Sequence, residues 1–182
     1  MTQQKRPAKA SNRHLDPQRV TPLGMMRYSI EYFAAAEATD NAIGDDDGYE
    51  FVAPSSITFL MGRAIELALK AYLISRGTPR EDLTKRAILG HDLQLCLQRA
   101  TDLGLCEKLD LSNTDLGVLK VLNAVYREKQ LEYFVGGFRT LPVFGPLQDV
   151  AKKIMDVVLA EIEDGHLLLR SKAGAIYASV QS

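Results

Sequence analysis

Four polar side chains stand where apolar surroundings give little reason for them. Glu66 and Lys70 lie one turn apart in "GRAIELALKAYLISRG", residues 62–77, and His91 and Asp92 are adjacent in "LGHDLQLCLQRATDLGL", residues 89–105. An imidazole titrates near neutrality, so His91 is the natural general base of this set, provided that a neighbour orients it. A carboxylate and an ammonium close by could hold the polar groups of a ligand. Each residue also has a structural reading. Glu66 and Lys70 follow the favourable i, i+4 order of a helical ion pair. Asp92 at a helix start would accept backbone N–H groups where negative charge is stabilised. His91 would then bond to Glu66 or a nearby carbonyl and fix how two helices meet. The structural reading is the expectation; the functional one makes the edge at Glu66, Lys70, His91 and Asp92 a binding site.

A second candidate region interleaves aromatic and basic residues: Tyr126, Arg127, Lys129, Tyr133, Phe134, Phe138 and Arg139. That mixture suits stacking on bases with phosphate contacts. It equally suits aromatic anchors inside a polar dimer rim, which is the preferred reading. Cys96 falls on an apolar helical stripe and reads as a buried small hydrophobe. The Asp45–Asp47 run lacks the carboxylates a calcium loop needs, because Ile43 and Pro54 fall at its first and twelfth positions. No phosphate loop, zinc spacing, paired-carboxylate motif or nucleophile elbow is found, and no metal or cofactor is expected.

The elements that must position these groups are helical. Met26, Ile30, Phe33 and Glu37 share a face in residues 21–40, with Ala34 widening its apolar side. From a cap at Ser55 or Ser56, Leu60, Ala64, Leu67, Ala71 and Ile74 form a stripe widened by Ile57, Met61, Ala68 and Tyr72, so this helix should be largely buried. Gly77 should end it, and Gly62 inside it suggests a close helix–helix approach. Thr78, Pro79 and Glu81 predict a short helix in "TPREDLTKRAILG". Another helix starts at His91 or Asp92. A long one runs from the Ser112–Asp115 capping box through "VLNAVYREKQLEYF". Residues 131–143 read as a small β-hairpin or an extended loop. A last helix has Pro146 in its first turn, with Leu147, Val150, Ile154, Val157 and Val158 inward. The end, from Gly165, is ambiguous between strand and short helix. Long helices without βαβ alternation give an all-α up-and-down bundle of about five helices.

Composition agrees with that class. The chain has 182 residues, 46% of them hydrophobic, and a net charge of −1. One domain over residues 21–182 fits that length, preceded by a basic, Pro-containing segment 1–20 expected to be a disordered tail. A near-zero net charge gives no global field for nucleic acid, so any basic surface must be local. No run is apolar enough to span a bilayer, and two cysteines build no disulfide framework. A cytoplasmic protein with reduced thiols is expected.

Glu66, Leu69, Lys70 and Ala71, followed by Gly90, His91, Asp92 and Leu93, resemble the wording of the HEPN domain, and "VYREKQLEYF" resembles the aromatic and basic stretch that follows in such proteins. In helix order the likeness spans about 25–165. It implies a four- or five-helix bundle that dimerises, in a defence or toxin–antitoxin setting, with a nucleotidyltransferase as a partner and RNA or a nucleotide as ligand. The family's ribonucleases carry an Arg, usually a polar residue, and then a His near the start of a late helix. Here Arg86 and His91 match in spacing, but Ala87 replaces the polar neighbour and the match falls in a connection. The long helix offers Arg127 with no histidine after it; His14 and His166 are remote. The resemblance therefore implies a non-catalytic HEPN-type protein. The alternative is a metal-independent ribonuclease using His91 with Arg86 or Arg127.

Overall fold

The computed structural model describes residues 20–44, 53–133 and 136–162. Most of the expected tail, the Asp45–Asp47 run, Phe134, His166 and the ambiguous C-terminal segment lie outside them. Five α-helices form an all-α bundle: α1 (Pro22–Ile43), α2 (Ser55–Ser75), α3 (Leu93–Asp102), α4 (Asn113–Tyr126) and α5 (Phe144–Glu161). Among the described residues there is no strand, so 136–143 takes the extended alternative and not the hairpin.

α2 is the central rod. It packs most extensively on α1, then on α5 and α3, and from Met61 to Leu73 only Arg63 escapes full burial. Its sequence explains this position. Ala64, Ala68 and Ala71 let neighbouring backbones come close, while Ile57, Met61, Ile65, Leu69 and Leu73 fill the space between them, each fully buried. Fully burying a Leu, Ile or Met side chain stabilises by roughly 1.5–3 kcal/mol. Where α1 meets α2, the buried Ser29 hydroxyl donates to the Ala64 carbonyl at 2.7 Å. The serine cap expected for α2 is not used. Ser55 and Ser56 already lie in the helix, Pro54 is its N-cap, and the buried Thr58 hydroxyl donates back to the Pro54 carbonyl at 3.1 Å. The end comes at Gly77 as expected, with the Thr78 N–H closing on the Leu73 carbonyl.

Two expected helices are shorter than their patterns. "TPREDLTKRAILG" forms one 3₁₀ turn, Arg80–Leu83, with no side-chain cap from Thr78. The capping box and proline could start a helix, but residues 85–92 fold as a tight turn instead. The Ile88 and Leu89 N–H groups both donate to the Lys85 carbonyl, and Asp92 N–H donates to that of Leu89. α4 begins at the expected Ser112–Asp115 capping box but stops at Tyr126. Lys129 adopts φ 59° and Gln130 N–H reaches back to the Val125 carbonyl, closing the helix in the manner of a left-handed C-terminal motif. The residues beyond Tyr126 are Arg, Glu, Lys and Gln, which carry no apolar stripe to keep a helix on the core.

At Gly62 the Tyr126 ring packs directly against the α2 backbone. A Cβ there would stand 2.5 Å from the Tyr126 ring. The crossing of α2 and α4 therefore needs a glycine, despite its cost of about 1 kcal/mol in a helix interior. Gly62→Ala should lower stability by roughly 1–3 kcal/mol, in spite of alanine's better helix propensity, because α4 must shift to admit the methyl group. Urea denaturation of both forms measures it; an unchanged or raised midpoint would show that the ring has room to move.

Candidate functional site

The Glu66 carboxylate is 1% exposed, and four side chains converge on it. Lys70 Nζ lies 2.5 Å from Oε1; Arg63 Nη1, the Tyr126 hydroxyl and His91 Nδ1 lie 2.8, 2.5 and 3.2 Å from Oε2. Lys70, also buried, donates to the Gly90 carbonyl as well. The favourable i, i+4 pair expected from sequence is thus the centre of a wider network linking α2, the 85–92 turn and α4. Burial alone would raise the Glu66 pKa. The His91 hydrogen bond and the charges of Lys70 and Arg63 outweigh it and hold the carboxyl well below the usual carboxylate range. Burial first, and then the neighbouring Glu66 charge, push the Tyr126 phenol far up, so it stays a neutral donor. Tyr126 is therefore no exposed recognition residue, as the sequence allowed, but a buried strut at 4% exposure.

Asp92 organises the start of α3. Its Oδ1 accepts from Leu95 N–H at 3.0 Å, the N-cap bond read from the sequence. Asn123 on α4 supports the same helix end: its Oδ1 accepts from Leu93 N–H at 2.8 Å and its Nδ2 donates to Asp92 at 3.0 Å. Asn123 carried no chemical motif and was missed; its only signal was a polar residue amid α4's apolar positions. Arg63, likewise missed, was legible as an i, i+3 partner of Glu66.

In front of this network opens a cleft of about 350 Å³. Thr84, Arg86, Gly90 and His91 line one side of it, and Arg127, Glu128 and Lys129 the other. Arg86 and His91, separated by a connection in the sequence, meet here because of the 85–92 turn. Gly90 at φ 50° lets the chain double back so closely that a Cβ would stand 3.0 Å from the Arg86 Cα. Arg127 follows directly on the buried Tyr126, so its guanidinium is delivered to the same opening. Its Nη1 lies 3.5 Å from Asp92 and its Nε 3.3 Å from Glu128, while Arg86 Nη2 lies 3.1 Å from the other Glu128 oxygen. Glu128 was not read from the sequence, and no spacing rule points to it.

His91 is about one-third exposed. Because Nδ1 faces an ionised carboxylate, it carries the proton, and in the neutral ring Nε2 is then the acceptor. Tyr133 and Arg139 are not among the residues lining the cleft. Tyr133 is 67% exposed, and Arg139 Nη1 donates to the Gln130 carbonyl, pinning the segment after α4. Cys96 is fully buried and its thiol is pushed up to about 12 by burial, which fits the expected packing role. Cys106 is exposed. A larger hollow of about 420 Å³ between α3 and α4 holds Lys120 and two glutamines over leucines, with no group suited to acid–base work. Among the described residues no three His, Cys, Asp or Glu side chains are grouped to hold a metal, and no helix is long and apolar enough to cross a membrane. No protein-family model, curated protein or solved structure matches the chain.

Glu66→Gln removes the charge that compensates Lys70 and should cost about 3–5 kcal/mol, the range for a buried ion pair that loses one partner. The pH dependence follows from the depressed carboxyl. Its contribution is complete above the unfolded-state value of about 4.3 and is lost as pH falls from there toward the folded-state value, because the unfolded chain takes up the proton first. Thermal melts should therefore show wild type losing its margin over Glu66→Gln below about pH 4.5. A margin that does not change with pH would contradict an ionised Glu66.

Proposed function

We propose that this chain is a non-catalytic, HEPN-like helical binding protein whose cleft at Arg86, His91, Arg127 and Lys129 takes a phosphate group of RNA or of a nucleotide. The observation that carries this reading is the convergence of three cationic side chains and an imidazole, from two distant parts of the sequence, on one open cleft. Guanidinium groups are suited to paired hydrogen bonds with phosphate oxygens. Each of these cations has a partly exposed carboxylate neighbour, Glu128 for Arg86, Asp92 and Glu128 for Arg127 and Glu132 for Lys129, so a phosphate binds here by exchanging weak pairs. The proposal includes the setting that the HEPN likeness implies: a cytoplasmic homodimer in a defence or toxin–antitoxin process, with a nucleotidyltransferase as a candidate protein partner.

A metal-independent ribonuclease is the second reading, favoured by one specific observation. Glu66 fixes His91 so that Nε2, as general base, could accept a proton from a ribose 2′-hydroxyl. The same cleft supplies no matched general acid for the leaving oxygen. Its other cations are arginines and a lysine, and the Tyr126 hydroxyl already donates to Glu66. Binding is the activity that this set of groups completes.

Fluorescence anisotropy with a labelled RNA oligonucleotide tests both readings. Arg86→Ala and Arg127→Ala should each weaken binding by about 3- to 10-fold. Each should also flatten the salt dependence, by roughly 0.7 in log–log slope for every phosphate of the single strand that is no longer neutralised. The RNA should remain intact during prolonged incubation without metal. Unchanged affinity in both variants would end the binding proposal, and cleavage that disappears in His91→Ala would establish the ribonuclease instead.

A further inference from the structure

The cleft already holds an anion of its own. Glu128 places one carboxylate oxygen 3.1 Å from Arg86 Nη2 and the other 3.3 Å from Arg127 Nε, so it bridges the two guanidiniums across the opening. Neither arginine is buried; their side chains are 86% and 50% exposed, and Glu128 is 41% exposed. Ion pairs of such exposure are weak. The carboxylate can leave by a rotamer change without unmaking any part of the buried Glu66 network. A ligand phosphate that uses both arginines must take the place of this carboxylate.

That exchange depends on what the ligand brings. A phosphodiester carries one charge and two non-bridging oxygens, the same inventory as the carboxylate it displaces, so the swap gains little. A phosphomonoester carries up to two charges and three terminal oxygens. Two oxygens can meet Arg86 and Arg127 while the third meets Lys129, which lines the same cleft and would exchange a long, partly exposed pair with Glu132 at 3.6 Å. With a second pKa of about 6, a phosphomonoester is largely dianionic at neutral pH.

We infer that Glu128 is a built-in competitor that weakens the binding of every phosphate using both arginines by the same factor, and that Lys129, by taking a third oxygen, lets phosphomonoester groups, those of mononucleotides or of phosphorylated strand ends, displace it in preference to internal phosphodiesters. The inference rests on the phosphate-binding reading given above and adds the ligand class, the carboxylate it displaces and the lysine that sets the preference.

Calorimetric titration with adenosine 5′-monophosphate and with ApA, whose sole phosphate is a diester, tests this on wild type, Glu128→Gln, Lys129→Gln and Arg86→Gln, at one fixed low ionic strength. Wild type should bind the monoester about fivefold or more tighter than the diester, a difference on the scale of one charge-assisted hydrogen bond. Glu128→Gln, with an unchanged melting temperature, should tighten both ligands by a similar factor, about fivefold, whereas Lys129→Gln should weaken the monoester more than ApA and narrow the preference. Arg86→Gln should weaken both. If wild type binds both ligands alike, if Lys129→Gln keeps the full preference, or if Glu128→Gln tightens neither ligand, the inference fails, although phosphate binding itself stands. If neither wild type nor Glu128→Gln binds either ligand, the selection and the phosphate reading fail together.

Discussion

A single carboxylate sealed inside a helical bundle imposes most of the arrangement described above. An ionised Glu66 at 1% exposure is tolerable only if opposite charge and hydrogen-bond donors surround it. The chain gathers them from three places: Arg63 and Lys70 on α2, His91 from the turn before α3, and Tyr126 from the last residue of α4. No buried side-chain polar atom among the described residues lacks a partner. A network satisfied to that degree rigidifies what it joins. It holds the 85–92 turn against α2 through Lys70 and the Gly90 carbonyl, and it fixes where α4 must end.

The cleft follows from those two placements. Once His91 is drawn toward Glu66, the tight turn brings Arg86 to the same side. Once Tyr126 is drawn in, Arg127, Glu128 and Lys129 are set on the facing rim. The buried network and the exposed cleft therefore do different work with shared residues. The network specifies the meeting of α2, α3 and α4, and the cleft presents exchangeable cations to solvent. His91 belongs to both, with one ring nitrogen committed inward.

Much of this was legible in the sequence, and what escaped has identifiable physical causes. Helical periodicity located all five helices, because apolar stripes at 3.6-residue spacing are set by burial itself. Local capping chemistry placed Ser112–Asp115 and Asp92 correctly, and Gly62 marked a close approach of α4 to α2. The errors lie where long-range contacts override local preference. The cap-like "TPRE" yields one 3₁₀ turn because the following residues are needed as a connection that returns Arg86 toward His91. "VYREKQLEYF" has helical residues, yet the helix stops once Tyr126 has reached the core. Tyr126 itself looked like a recognition aromatic because its type was visible and its partner, sixty residues away, was not. The meeting of Arg86, His91 and Arg127 is a tertiary fact that the spacing could suggest but not fix.

The central claim, that Glu66 holds His91 by Nδ1 and thereby sets both the network and the cleft, is open to direct measurement. Long-range ¹H–¹⁵N correlation spectra of the histidine side chains, with His91 assigned by substitution, report which ring nitrogen carries the proton in the neutral ring. The account predicts the Nδ1–H tautomer for His91, and its loss of preference in Glu66→Gln. An Nε2–H tautomer in the wild-type protein would mean that Glu66 does not orient the ring, and the link between the buried carboxylate and the cleft would be broken.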